Sequence, residues 1–280
     1  MSIQQPTTPL VEFHDLTVSY GGRPVLWNID LAITEACLFG IIGPNGAGKS
    51  TLIKAALGIV PLAGGWVRFS GKPPDEVRGR IGYVPQRESV DWDFPVRAID
   101  VVLMGTYHRV GWFRRIGRRE RHVAEAALDR VGLLDMANRQ IGRLSGGQQQ
   151  RVFLARALAE EAEVYFLDEP LAGVDAGSQQ TIFQVLAELR DEGRLVVVVH
   201  HDLRSAAAWF DRVALIDMRL VAEGPTAEVL SAENLARTYC GPLDVLEELG
   251  RAVEAGRRTP RDSRRRRRSR WPAYPTTRWW

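Results

Sequence analysis

Lysine is nearly absent from this chain. Only Lys49, Lys54 and Lys72 occur, and arginine fills the other 34 of the 37 basic positions. A lysine inside a motif therefore carries extra information. Cysteine is scarce as well: Cys37 and Cys240 are the only two. Two thiols make no disulfide framework, which agrees with a reducing compartment. Long apolar runs are missing too. The longest, such as LVVVV at 195–199, have strand length, against the roughly 18 residues a membrane-spanning helix needs. No charged-then-apolar signal segment opens the chain. These absences predict a cytoplasmic protein that does not itself cross a bilayer.

What is present reads as an ordinary soluble protein. A chain of 280 residues with 45% hydrophobic and 25% charged residues can bury a sizeable core in one large domain or two modest ones. The net charge of +3 misleads, because the stretch from Gly256 onward holds ten arginines against one aspartate, +9 in all, leaving −6 for the body. Basicity thus belongs to an appendage, and no nucleic-acid partner is expected for the folded body. The expected division is a folded domain at 1–255 and an arginine-rich tail at 256–280 without fixed structure. The five arginines at 264–268 stand near Trp271, Tyr274, Trp279 and Trp280. That pairing suits an anionic lipid surface, although nucleic acid would attract the same charge and an inert extension has the same composition.

Residues 10–20 alternate as a half-buried strand does, and 25–31 less regularly. CLFGII at 37–42 has the fully apolar pattern of a strand covered on both faces. A glycine-rich turn and a helix to about Leu57 follow. Further strands are expected at 67–69, 81–84, 164–167, 195–199 and 213–216, with helices at 148–159, 179–190 and 203–209. Residues 96–143 read as helical, interrupted by Gly-containing turns and an arginine-rich segment, which predicts a helical insert at about 96–145. Alternating strands and helices predict an α/β fold with a mostly parallel sheet.

Gly43, Pro44, Asn45, Gly46, Ala47, Gly48, Lys49 and Ser50 match G-x-x-x-x-G-K-[ST] between an apolar strand and a helix that continues through Thr51. Such glycines let successive N–H groups converge on one point, and the helix N-terminus adds its positive end. Lys49 is predicted to reach the β- and γ-phosphates, and the Ser50 hydroxyl to ligate Mg²⁺. The strand EVYFLDEP at 163–170 ends in two carboxylates. Asp168 is expected to hold the Mg²⁺ and Glu169 to polarise the attacking water. Alone, such a pair is as compatible with a helix cap or a surface pair. In LSGGQQQR at 144–151, the N–H groups of Ser145, Gly146 and Gly147 open a helix together with Gln148, a second anion site.

One nucleotide rarely needs two such sites in one subunit. With that second site the chain resembles the ATP-binding cassette (ABC) family, whose signature motif closes over the nucleotide of the opposite subunit. The resemblance runs from about Leu10 to about Cys240. It implies a P-loop NTPase core with an antiparallel β subdomain and the helical insert, acting as a homodimer with ATP and Mg²⁺. It implies that Tyr20 stacks on adenine and that Gln86 senses Mg²⁺ and the attacking water. Asp175 in LAGVD would belong to the loop that crosses the dimer, and His201 in HHDL would contact the γ-phosphate. His200 stands where many relatives have threonine, a small departure.

The stretch VPQRESVDWDFPVRAIDVVLMG at 84–105 is very similar to the ATPase subunits that serve manganese, zinc and iron importers, and GWFRRIGRRER at 111–121 also resembles them. In importers this region receives a short helix of a membrane permease, so a peripheral position on the cytoplasmic face of the membrane is implied, with an extracytoplasmic metal-binding protein as an indirect partner. Trp92 and Phe94 are expected to anchor that contact. Asp91 and Asp93 are not expected to bind the metal. Which of the three ions is carried stays open. An importer ATPase of another class, and an ABC ATPase linked to nucleic acid, stand as alternatives. A single cassette and an acidic body speak against the latter.

Overall fold

The computed structural model describes residues 8–87, 90, 92, 94–110 and 116–239. The arginine-rich tail, Cys240, Asp91, Asp93 and residues 111–115 lie outside the described residues.

A six-stranded sheet forms the centre, in the order β5 (Ile81–Val84), β6 (Val164–Asp168), β7 (Leu195–His200), β3 (Leu38–Ile42), β8 (Arg212–Asp217), β9 (Arg219–Pro225). The first five strands run parallel and β9 closes the edge antiparallel to β8. A separate antiparallel sheet holds β2 (Arg23–Ile33), β1 (Val11–Tyr20) and β4 (Gly64–Arg68), in that order.

The continuous apolar strands follow from burial on both faces. In β7, Val196 and Val198 join one core while Leu195, Val197 and Val199 join another, and β6 divides Tyr165 and Leu167 from Val164 and Phe166 in the same way. The first core lies under α3 (Ala98–Met104), α5 (Arg118–Arg130), α6 (Gly146–Ala159) and α7 (Ala176–Asp191). The second joins the main sheet to the antiparallel sheet and to α1 (Lys49–Ala56). Short helices α2 (Pro74–Val77) and α4 (Tyr107–Val110) and helix α8 (Leu203–Trp209) complete the body, with α9 (Thr226–Val229) and α10 (Ala232–Tyr239) after the last strand.

The structure adds detail to the expectations. The interrupted helical stretch divides, among the described residues, into α3, α4, α5 and two single 3₁₀ turns at Leu134–Met136 and Ile141–Arg143. The irregular alternation of the first two strands has a cause. Their pairing shifts register three times between Phe13 and Ser19, and Asp15 and Asn28 adopt positive φ of 47° and 51°, which is how bulged backbone is accommodated. The thiol of Cys37 is buried, and its pKa is pushed up to about 12 by that burial first and by Asp211 and Glu35 next. It is an inert core residue.

Candidate nucleotide site

In open parallel sheets ligands bind at the carboxyl ends of the strands, and here four neighbouring ends carry the chemistry. Strand β3 runs into Gly43, β6 into Asp168 and Glu169, β7 into His200 and His201, and β5 reaches Gln86 two residues beyond Val84. The register makes these true neighbours: Val84 pairs with Leu167, Asp168 with Val199, and Ile42 with His200. Residues spread over 158 positions of sequence, Gly43 to His201, are thereby brought to one edge.

Two close approaches shape the loop between β3 and α1. A Cβ on Gly43 would fall 2.0 Å from the carbonyl oxygen of Ile216 at the end of β8. Gly48 caps α1 at φ 91° with its Cα against Val25 and Leu26, so a side chain there is excluded twice. Lys49 is 5% exposed, and its Nζ donates to the carbonyl oxygens of Gly43 at 2.8 Å and Pro44 at 2.7 Å. Burial lowers the pKa of its ammonium, and the Glu169 and Asp168 carboxylates oppose that shift. A cation held by carbonyls inside its own loop is ready to exchange them for phosphate oxygens.

Ser50 Oγ donates to Asp168 Oδ1 at 2.8 Å. The second carboxylate oxygen, Asp168 Oδ2, is buried without a hydrogen-bond partner. Burial pushes this carboxyl above its ordinary range, against the Ser50 hydrogen bond. An orphaned buried oxygen beside a hydroxyl oxygen is a hard, oxygen-only donor set, and it fits a divalent cation such as Mg²⁺. Next along the chain, Glu169 sits at φ 49°, strained for a non-glycine residue. Its Oε2 lies 4.0 Å from Nδ1 of the exposed His201. Tyr20, at the end of β1, is 49% exposed.

The residues of the second anion site form the start of α6. Ser145 Oγ accepts from the Gln148 amide at 3.3 Å, and Gln148 Oε1 accepts from the Ser145 amide at 2.9 Å, a reciprocal capping box. Gly147 packs against the next motif, since a Cβ there would lie 2.6 Å from both Asp175 Oδ2 and Ser178 Oγ. Asp175 in turn caps α7, accepting from the Ser178 amide at 2.9 Å, and that hydrogen bond lowers its pKa. The two motifs expected to face the opposite subunit are therefore joined to each other within this one.

The two aromatic rings expected to anchor a partner differ in setting. Trp92 is half-buried and held by its own chain. Its Nε1 donates to the Arg87 carbonyl at 2.9 Å, and its ring meets Phe153 of α6 edge-on at 5.1 Å between centroids. The polar end of the indole has found an internal acceptor, so the ring turns inward. Phe94 does face solvent, at 58% exposure. It adjoins an open groove of about 620 Å³ lined by Val96, Arg97, Asn138, Arg139, Gln140 and Arg143.

Two side chains were given no role by the sequence. Arg87 donates to Gln149 Oε1 at 3.1 Å, tying the loop after β5 to α6. His200 is buried against Phe183 and Phe210, with Nε2 2.6 Å from Ser205 Oγ, and burial lowers its pKa to about 4. It is a neutral packing residue beside His201. Adjacency to Gln86 and to His201 was the only signal that either carried.

A lysine in a glycine-rich turn, with acids at the end of a strand two places along the same parallel sheet, is the apparatus of a P-loop ATPase. Comparison with known proteins narrows this class. Residues 26–172 match the ABC transporter family. The manganese transport system ATP-binding protein MntB of Bacillus subtilis (strain 168) is 54% identical over 238 residues, which cover 85% of this chain and 95% of that protein. The zinc transport system ATP-binding protein TroB of Treponema pallidum (strain Nichols) is 51% identical over 85% of this chain and 89% of its own. A solved structure described as a metal-chelate type ABC transporter in an inward-facing conformation matches with a TM-score of 0.74 at 27% identity, covering 84% of this chain and 90% of that one. The chain belongs to the ABC transporter family.

Proposed function

We propose that this chain is the ATP-hydrolysing subunit of an importer for a divalent metal, manganese, zinc or iron, which crosses the membrane through a separate permease. The observation that carries the ATPase is the Ser50–Asp168 pair beside Glu169 and His201, with Lys49 held in the phosphate loop. The names of the relatives, one for manganese and one for zinc, support the cargo class. No described helix is long and apolar enough to cross a membrane, and in this reading the translocation path belongs to a partner. Two copies would work as a homodimer on the cytoplasmic face, with an extracytoplasmic protein delivering the metal.

In this reading the N–H groups of 43–51 and Lys49 bind the phosphates of ATP, and Tyr20 stacks on adenine. Ser50, Asp168 and Gln86 would hold Mg²⁺, which neutralises phosphate charge as the γ-phosphoryl group leaves. Glu169 accepts a proton from the attacking water, and His201 steadies the γ-phosphate. Ser145–Gln148 and Asp175 close on the partner's nucleotide. The test is copurification with a polytopic permease from membranes, followed by uptake of Mn²⁺, Zn²⁺ and Fe²⁺ by cells with and without this subunit. Unchanged uptake of all three in its absence would overturn the reading.

The inward turn of Trp92 sharpens a further test. Phe94→Ala should change stability by less than about 0.5 kcal/mol, because an exposed ring loses little packing, yet weaken permease binding and uptake. Trp92→Ala should instead destabilise the isolated protein by about 1–3 kcal/mol through lost packing on Phe153. Thermal unfolding of both variants beside uptake separates the two effects. Normal uptake by Phe94→Ala would remove that ring from the docking surface.

A further inference from the structure

We propose that Arg87 is a positioning residue that fixes the loop carrying Gln86 to the first turn of α6, so that the subunit's own nucleotide site and its signature surface move as one body. The proposal rests on the dimer reading above, because only in a dimer do both surfaces hold nucleotide at once.

Arg87 is gripped at both ends. Its guanidinium donates to Gln149 Oε1 at 3.1 Å, and its carbonyl accepts from Trp92 Nε1 at 2.9 Å. Both partners lead to α6. Gln149 is 4% exposed, closes the first turn by donating its amide to the Ser145 carbonyl at 2.8 Å, and donates its side-chain Nε2 to the Ile141 carbonyl at 3.2 Å. Trp92 rests on Phe153, one turn further along the same helix. The guanidinium also lies over Gly146, where a Cβ would come within 3.3 Å of its central carbon. The far end of the loop is fastened as well, with the Ile141 amide donating to the Val96 carbonyl at 2.9 Å.

This arrangement is poorly explained by stability alone. Arg87 Nε is buried without a hydrogen-bond partner, and an unsatisfied polar atom is costly. An apolar side chain would fill the same space without that cost. What the guanidinium adds is direction. It fixes the residue adjoining Gln86 relative to the residue four positions after Ser145. A nucleotide that draws in Gln86 would then carry Ser145–Gly147 with it, coupling two distinct sites through one rigid contact.

The test uses the full chain carrying Glu169→Gln, in which ATP should drive a stable dimer. Arg87→Met and Gln149→Met should each raise the ATP concentration at half-maximal dimerisation roughly fivefold, the typical effect of one lost hydrogen bond. The double variant should show no larger shift than Gln149→Met alone, since the contact that Arg87→Met removes is already lost there. Arg87→Lys, which keeps a donor, should recover most of it. ADP binding to the isolated Arg87→Met monomer should stay unchanged, which separates a positioning role from damage to the nucleotide site. If Arg87→Met does not fold, Gln149→Met and Arg87→Lys decide the matter by the same readouts. An unchanged dimerisation midpoint beside a normally dimerising Glu169→Gln parent would overturn the role of Arg87. A parent that stays monomeric in ATP would instead overturn the dimer reading, and this proposal with it.

Discussion

Glu169→Gln is expected to bind ATP as the unaltered protein does and to hydrolyse it on the order of a hundredfold more slowly or worse, the usual contribution of a positioned general base. The substitution keeps the length and the carbonyl acceptor of the side chain and removes only its ability to take a proton. It leaves the Ser50–Asp168 pair and the Lys49 contacts untouched. The backbone sharpens the expectation. At φ 49° Glu169 occupies a conformation that costs a non-glycine residue energy, and such strain persists where its surroundings hold the residue for a purpose. Glutamine bears the same strain as glutamate, so folding should be preserved. With hydrolysis blocked, ATP should hold two subunits together, visible as a doubled mass in size-exclusion chromatography with ATP. Turnover at the unaltered rate would remove Glu169 from the site. A monomer in saturating ATP would sink the proposed dimer.

How legible this molecule was depends on how local each feature is. The phosphate loop could be read because eight consecutive residues determine it, and the buried strands because both of their faces are apolar. The acids at 168–169 gained meaning only from the loop far upstream, and the register that sets Asp168 beside Val199 was not visible. Strand β9 escaped notice. It is an edge strand whose residues are exposed or intermediate except for Gly224, so it lacks the alternation that marks a half-buried strand. The internal contacts of Trp92 were hidden for a similar reason. Its partner Phe153 lies 61 positions away in a helix that local pattern cannot dock. Arg87 lies one step further from view, because the direction of a guanidinium leaves no trace in sequence.

The scarcity of lysine returns in the last expected result. Lys49→Arg should lower ATP affinity or turnover by at least about tenfold, about 1.4 kcal/mol in transition-state terms, although charge is conserved. Arginine fills 34 of 37 basic positions in this chain, so a lysine at the loop points to a geometric demand. That demand is visible. The ammonium sits 2.8 and 2.7 Å from two carbonyl oxygens of the loop itself, at a residue only 5% exposed. Gly48 behind it has no room to retreat, with its Cβ direction closed by Leu26 at 2.6 Å. A compact ammonium can turn from those carbonyls to phosphate oxygens by rotating its stem. A planar guanidinium with five fixed donors must displace the loop or protrude into the space the phosphates need. Thermal unfolding should change little, because the charge and most of the stem remain. Nucleotide titration and steady-state hydrolysis, measured on the same preparation, check the expectation. Unchanged affinity and turnover would mean that charge alone is used at this position and that the preference for lysine has no geometric cause.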